Sequence, residues 1–291
     1  MNSIKTMNNF KRFTLVLPVV LLISSCVTST QPLNQNTGNT SDSSISSTQT
    51  KPFSYESYDQ VLSTYVDQDG QVDYKALKEN RQKLDEFNAS LGTLPPEQFE
   101  SWTEKDKIAF WINIYNSLTL QAIIENYPTK SIRNIPGVWK RLRFNVMGNN
   151  LTLDEIEHKI LRVEFNEPRI HMGLVCASIG CPILIQEAYT GEKLDQQLDQ
   201  QTEAFLALQR NFVIDKQENR VYLSSIFKWF GDDFIPTYKA SEQFAGNEKE
   251  RAVLNFVSQY LDSSDQEYLV NGKYQVRYLD YDWSLNSQAS L

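Results

Sequence analysis

The stretch that decides the fold is the run IAFWINIYNSL at residues 108–118, which is apolar almost all the way round a helix. A helix without a polar face is buried at the centre of its domain. Asn113, Asn116 and Ser117 interrupt the run at spacings of three and four residues, so they form one polar stripe that enters the core. Buried amides are costly unless they are hydrogen-bonded. The stripe is therefore either a clamp on neighbouring backbone or part of an oxyanion-binding or substrate-binding surface.

The composition of the chain limits the class of protein to which it can belong. Its 291 residues are 41% hydrophobic, which is enough for one core without disulfides or metals. The formal net charge of -8 argues against nucleic acid as a partner, because phosphate binding needs clustered basic residues. Three cysteines are too few for a disulfide-stapled scaffold. No cofactor is predicted.

The beginning of the chain resembles a bacterial lipoprotein signal. A basic stretch precedes an apolar run at residues 13–23, which is too short to span a bilayer, and Ile-Ser-Ser-Cys ends at Cys26. We expect a signal peptide at residues 1–25, a lipidated Ser/Thr/Asn-rich tether at 26–52 and a globular domain at 53–291. The alternative is an ordinary cleaved signal with a chance cysteine.

An acylated Cys26 makes the lipid bilayer a predicted partner and the cell envelope the predicted location. Val27 rather than Asp after this cysteine is compatible with the periplasmic face of the outer membrane in a Gram-negative host.

The mixture of helical and strand patterns predicts a single α+β domain, with the apolar helix buried against a mainly antiparallel sheet. The predicted helices cover residues 56–66, 74–91, 104–126, 153–163, 193–209 and 248–261. The predicted strands cover residues 71–73, 141–146, 169–175, 211–215, 220–223 and 274–280.

The helix at 153–163 carries two ionisable candidates. Thr152 and Glu155 form a capping box at its start. Helical geometry puts Glu157 inside the apolar face and His158 on its flank. A carboxylate that points into a core needs a cation or several donors, and Arg169 is the expected partner.

The segment at 169–176 and the turn after it contain His171, Cys176 and Cys181. One interpretation is that Cys176 is a nucleophile activated by His158, since a strand at 169–175 would keep His171 too far away. A second is a Cys176–Cys181 disulfide. A third is a metal site formed by both cysteines and both histidines, although their spacing matches no common pattern.

Five blocks of sequence resemble the DUF547 family of bacterial and plant proteins. They begin at residues 110, 153, 169, 222 and 278, and they occur in order between about 105 and 286. The name of the family records an unknown function, so the resemblance implies a shared fold and shared motif positions. These positions are Asn113, Asn116, Glu157, His158, Arg169, His171, Cys176, Ser178 and Cys181.

A looser resemblance is to papain-like and transglutaminase-like enzymes, in which a cysteine begins the central helix. Here that helix contains no cysteine. We therefore expect Cys176 to be the nucleophile of a thiol-dependent hydrolase or acyl transferase acting on a peptide-like substrate. Its sulfur should lie within about 4 Å of a histidine, and iodoacetamide should label it faster than Cys181. Glu157 would assist the histidines, and Asn113, Asn116, Arg169 and Ser178 would bind the substrate.

The competing interpretation is a non-enzymatic envelope module that binds a peptide, glycan or protein. In that case Cys176 and Cys181 would form a structural disulfide. The aromatic-rich stretches at 222–238 and 274–283 favour this class.

Overall fold

A computed structural model describes residues 53–239 and 241–288, which belong to one compact unit. The predicted signal peptide, the tether and Cys26 lie outside the described residues. Among the described helices, none has the length and apolarity needed to cross a membrane. The expectation of a single α+β domain is confirmed.

The first half of the domain consists of the helix that contains the apolar run and the helices before it. They are α1 (Glu56–Tyr65), α2 (Tyr74–Glu79), α3 (Gln82–Thr93), α4 (Pro96–Glu100) and α5 (Glu104–Glu125). The predicted helix at 74–91 is divided into α2 and α3, because the side chain of Asn80 donates to the carbonyl of Ala76 and ends α2. The buried central helix is α5, and it packs mainly against other helices rather than on a sheet.

A hairpin and a distorted helix follow. The hairpin consists of β1 (Phe144–Val146) and β2 (Asn149–Leu151), and the helix consists of α6 (Leu153–Glu155), a π-helical segment (Ile156–Leu161) and α7 (Arg162–Glu164). Thr152 and Glu155 form the predicted capping box. π-Helical turns are rare and occur often at functional sites.

The predicted strand at 169–175 is wrong. Its centre is the short helix α8 (Ile170–Gly173). Glu167 favours this turn because its carboxylate accepts the backbone N–H of Arg169 and its carbonyl accepts that of Ile170. The turn closes where the N–H of Leu174 donates to the carbonyl of Ile170.

The remaining elements form a second hydrophobic core, and the first helix among them also contributes Leu194 and Leu198 to the first core. They are α9 (Leu194–Leu206), β3 (Phe212–Asp215), β4 (Arg220–Leu223), α10 (Ser225–Phe230), a 3-10 turn (Gly231–Phe234), α11 (Ile235–Tyr238), α12 (Glu248–Ser258), α13 (Ser263–Asn271) and β5 (Gln275–Tyr278). The predicted hairpin β3–β4 is confirmed, and β5 pairs with β4 in parallel, so this sheet is mixed. Tyr281 packs against both cores, which places it at their junction.

Candidate functional site

A cavity of about 330 Å³ opens between the two cores. Five of the side chains singled out from the sequence line it, and they are Glu157, His158, His171, Cys176 and Cys181. Its aromatic lining includes Trp139, Trp229, Phe230, Tyr281 and Trp283. Four further cavities among the described residues lack this combination of both thiols and both imidazoles.

The thiols share one hydroxyl group. The Oη atom of Tyr281 lies 3.2 Å from the Sγ atom of Cys176 and 2.9 Å from that of Cys181. Since a hydroxyl carries one hydrogen, it donates to one sulfur and accepts from the other. The Cys181 sulfur also accepts the backbone N–H of Cys176 at 3.0 Å. When the Tyr281 hydroxyl donates to Cys181, this sulfur has two donors, which makes it the better site for a negative charge.

The ionisation of the two thiols is unequal. Burial alone raises the pKa of the Cys181 thiol, but hydrogen bonds from Cys176 and Tyr281 outweigh burial and lower this pKa below its ordinary value. The hydrogen bond with Cys181, followed by burial, raises the pKa of the Cys176 thiol well above its ordinary value. Burial and the neighbouring sulfurs also raise the pKa of Tyr281, which keeps its hydroxyl protonated. Of the two sulfurs, that of Cys181 is therefore the one that loses its proton more easily.

The loop that carries the thiols is hydrogen-bonded to the segment at residues 282–284. Ile179 donates its backbone N–H to the carbonyl of Ser284, and Gly180 donates to that of Asp282. Ala177 has a φ of +57°, a left-handed conformation that L-residues adopt rarely and mostly at constrained sites. The loop and the segment with Tyr281 therefore hold the sulfurs and the hydroxyl in one arrangement.

The imidazoles are held by an ion pair behind the cavity wall. Arg162 and Asp233 form a two-point pair, with N–O distances of 2.6 and 2.9 Å. The Nη1 atom of Arg162 also lies 2.9 Å from Nδ1 of His158. A guanidinium only donates, so this Nδ1 is an acceptor and the imidazole proton is on Nε2. The side chain of His158 is 37% exposed.

His171 is bound to the same carboxylate. Its Nε2 atom donates to Asp233 at 2.8 Å, and its ring stacks on Phe230 with centroids 4.3 Å apart. Burial alone raises the pKa of Asp233, but the hydrogen bonds from His171 and Arg162 dominate and lower it below its ordinary range.

The expected histidine–cysteine pair is not formed. The hydrogen bonds of His158 and His171 in the described structure go to Arg162 and Asp233, whereas those of the Cys176 sulfur go to Tyr281 and Ser178. The histidines lie on the same cavity as the thiols without activating them directly.

The predicted disulfide and metal site also differ from the structure. Cys176 and Cys181 are free thiols, the former partly exposed and the latter buried. Within residues 53–239 and 241–288, no group of three or more His, Cys, Asp or Glu side chains is arranged to hold a metal ion.

The polar stripe of α5 is a structural clamp. The Asn113 side chain bonds both the N–H and the carbonyl of Tyr189. The Asn116 side chain bonds the carbonyl of Gly173 and the N–H of Val175. Both amides are buried and satisfied by backbone, so the expectation that they bind substrate is wrong.

Two more predicted roles are corrected. Arg169 does not pair with Glu157; it binds three other carboxylates, of Glu167, Asp195 and Asp199, and does not line the cavity. Glu157 is buried as expected, and its partner is the hydroxyl of Tyr115 on α5.

Ser178 lies behind the thiols rather than in the main cavity. It is buried, and it borders a second cavity of about 300 Å³ that Cys181 also lines. Its hydroxyl lies 3.8 Å from the Cys176 sulfur.

The sequence analysis did not single out Asp233 or Tyr281. Each is more than 60 residues from the group it binds. The motif blocks that begin at 222 and 278 and the aromatic-rich stretches at 222–238 and 274–283 pointed to this part of the chain, but not to these two side chains.

The fold and the site define an α+β protein with a thiol pair at the junction of two cores. Residues 99–206 match the family model described as "Protein of unknown function, DUF547". This segment includes α5, the π-helical segment and both cysteines of the cavity, so this part of the chain is similar to the DUF547 family. Comparisons with curated proteins and with solved structures gave no match.

Proposed function

We propose that this chain is a cell-envelope enzyme that uses Cys176 and Cys181 to hydrolyse or transfer an acyl group of a peptide-like substrate. The observation that carries the proposal is the hydroxyl of Tyr281 within hydrogen-bonding distance of both sulfurs, in a cavity that also contains two imidazoles. Buried structural cysteines need no such partner.

Cys176 is the nucleophile because it is the more exposed thiol. As its sulfur attacks a carbonyl carbon, its proton passes to Cys181, which serves as the base in place of a histidine. The Tyr281 hydroxyl stabilises a charge on either sulfur, since it contacts both. When the bond to the leaving group breaks, a thioester remains on Cys176 and the leaving group takes the proton from Cys181. Water or an acceptor then attacks the thioester and restores the thiol.

His158 supports the developing charge on the substrate. Because Arg162 occupies its Nδ1, its Nε2–H is a neutral donor on the cavity wall. A neutral imidazole that donates to a carbonyl oxygen is an effective stabiliser of an oxyanion. Asp233 positions this group through Arg162.

The test is acylation by p-nitrophenyl acetate in the presence of a phosphine reductant, with the full-length chain carrying Cys26→Ser. We expect a stoichiometric release of p-nitrophenol and an acetyl adduct on Cys176. Cys176→Ser should abolish the adduct, and Cys181→Ser should slow its formation at least ~10-fold because the proton acceptor is lost.

Tyr278→Phe is the matched control, since it removes a hydroxyl that contacts Glu250 and no sulfur. An adduct that is absent, or that persists in Cys176→Ser, would contradict the proposal.

A binding module is the second candidate, and the exposed rim of the cavity favours it. Trp229 is 42% exposed and packs on Tyr281 and Trp283. Aromatic faces at a cavity mouth suit peptide or glycan ligands. Quenching of tryptophan fluorescence by chitotriose or tetra-alanine, without any acyl adduct, would support this candidate over the enzyme.

The lipid anchor is part of the same proposal. Acylation at Cys26 would tether the domain to the outer membrane through residues 26–52, and the sequence around that cysteine supports it. In the native host, labelled palmitate should be incorporated into the wild-type chain and not into Cys26→Ser. Equal labelling of both chains would exclude the anchor.

A further inference from the structure

We propose that Cys176 and Cys181 also form a dithiol that exchanges with external disulfides, closing a reversible Cys176–Cys181 bond. This activity is separate from acyl transfer, although it uses the same sulfurs. The proposal depends on the arrangement of the pair and of the loop that carries it.

The two sulfurs are already neighbours. Both contact the Oη atom of Tyr281, and the backbone N–H of Cys176 reaches the Sγ atom of Cys181 at 3.0 Å. The bond would close a loop of only a few residues, so the chain does not need to rearrange at a distance. The loop is already turned, because the N–H of Cys181 donates to the carbonyl of Ser178.

The sulfurs differ in access and in ionisation, as the two steps of an exchange require. Cys176 is partly exposed on the main cavity, whereas Cys181 is buried behind it and borders a second cavity. A low pKa at the buried sulfur supplies the thiolate that resolves a mixed disulfide.

The exchange balances with a small disulfide RSSR as the oxidant. The Cys181 thiolate takes the proton of Cys176, and the Cys176 sulfur then attacks RSSR and forms a Cys176–S–S–R bond. The departing RS⁻ takes that proton back from Cys181 and leaves as RSH, so Cys181 is a thiolate again. The Cys181 thiolate then attacks the Cys176 sulfur and expels the second RS⁻. The protein loses two electrons, and RSSR becomes one RSH and one RS⁻, which takes a proton from water. Oxidation would stop acyl transfer, because neither sulfur remains available.

The experiment uses the full-length chain with Cys26→Ser and oxidised glutathione as the probe. Intact mass and peptide mapping should show a Cys176–Cys181 disulfide, no retained glutathione, and recovery of both thiols with dithiothreitol. Cys181→Ser should retain one glutathione on Cys176, because nothing resolves the mixed disulfide. Cys176→Ser should react at least ~10-fold more slowly than Cys181→Ser.

Stable glutathione on the wild-type chain, or two thiols that react only after urea is added, would overturn the proposal. Equal rates for the two serine variants would overturn the assignment of Cys176 as the attacking sulfur. The wild-type result decides the main point even if a variant fails to fold. Because acylation is measured under reductant, the exchange and acyl transfer can each fail while the other succeeds.

Discussion

The segment that matches the family model and the segment after it make different contributions to the cavity. Residues 99–206 contain both thiols, both imidazoles and Glu157. Residues 207–288 contain Asp233 and Tyr281, which bind those groups, and the exposed Trp229. The first segment supplies reactive atoms, and the second determines which of them carries a proton. Neither segment forms the cavity alone.

The largest expected effect tests whether the amide stripe in the first segment is structural. Asn116→Ala should lower the free energy of unfolding by about 3 kcal/mol, because it leaves a buried N–H and a buried carbonyl unpaired. Urea unfolding at neutral pH measures this. Ser117→Ala is the control from the same stripe, since its hydroxyl bonds only the carbonyl of Ile114 on its own helix. If both variants lose less than ~1 kcal/mol, the clamp is not structural.

The next effect tests whether Asp233 in the second segment stabilises the positions of the imidazoles. Asp233→Asn should lower the free energy of unfolding by about 2 kcal/mol at pH 7, because charged hydrogen bonds to Arg162 and His171 are lost from a partly buried site. Asp232→Asn is the matched control. Its carboxylate is 66% exposed and pairs with Lys249, so it should cost less than about 1 kcal/mol.

The pH dependence of the free energy of unfolding tests the charge of Asp233 separately. Because the pKa of Asp233 is lowered in the folded chain, its contribution is present above the unfolded value of about 4 and is lost as the pH falls below it. The stability difference between the wild type and Asp233→Asn should therefore shrink between pH 5 and pH 3. A difference that stays constant over this range would show that the charge of Asp233 is not what stabilises the site.

A smaller effect tests the contact between Tyr281 and the thiols. Tyr281→Phe should slow alkylation of the pair by iodoacetamide about 10-fold at pH 7, which corresponds to a rise of one unit in the thiol pKa. Tyr278→Phe is the control, since its hydroxyl contacts Glu250 and not a sulfur. Equal rates for the two variants would mean that the hydroxyl does not influence ionisation.

The smallest effect concerns Trp229 at the exposed rim of the cavity. Trp229→Ala should change the free energy of unfolding by less than about 1 kcal/mol, because much of the ring is already in water. Its neighbour Phe230 stacks on His171 and lies under the Arg162 guanidinium, so Phe230→Ala should cost about 2 kcal/mol. Thermal or urea unfolding separates them. A loss at Trp229 as large as that at Phe230 would make Trp229 a structural residue.

Sequence patterns correctly predicted the features that depend on residues close to each other in the chain. The apolar run at 108–118 predicted the buried helix α5, and Thr152 with Glu155 predicted the helix start. Helical periodicity also placed Glu157 inside and His158 on the flank. These features follow from side chains within a few turns of each other.

The predicted strand at 169–175 was wrong because seven residues of alternating pattern do not exclude a short helix. Here Glu167 supplies the hydrogen bonds that start α8, and Asn116 binds the backbone that a strand partner would have bound. Arg169 binds the carboxylate of Glu167 and two carboxylates from α9. For this reason it does not pair with Glu157.

Partners at long range could not be predicted. Asp233 meets His171 across 62 residues, and Tyr281 meets Cys176 across 105. No spacing rule connects such positions; only the packing of the second core against the first brings them together. The sequence therefore identified the reactive atoms but not what controls their protons.

The most direct test of the central claim is an ultraviolet titration of thiolate absorbance in the reduced, folded, full-length chain with Cys26→Ser. If the sulfurs of Cys176 and Cys181 share the Tyr281 hydroxyl, one thiolate should appear below the ordinary cysteine pKa of about 8.5, and the second should not appear until well above it. Two thiols that titrate together near 8.5 would contradict the account.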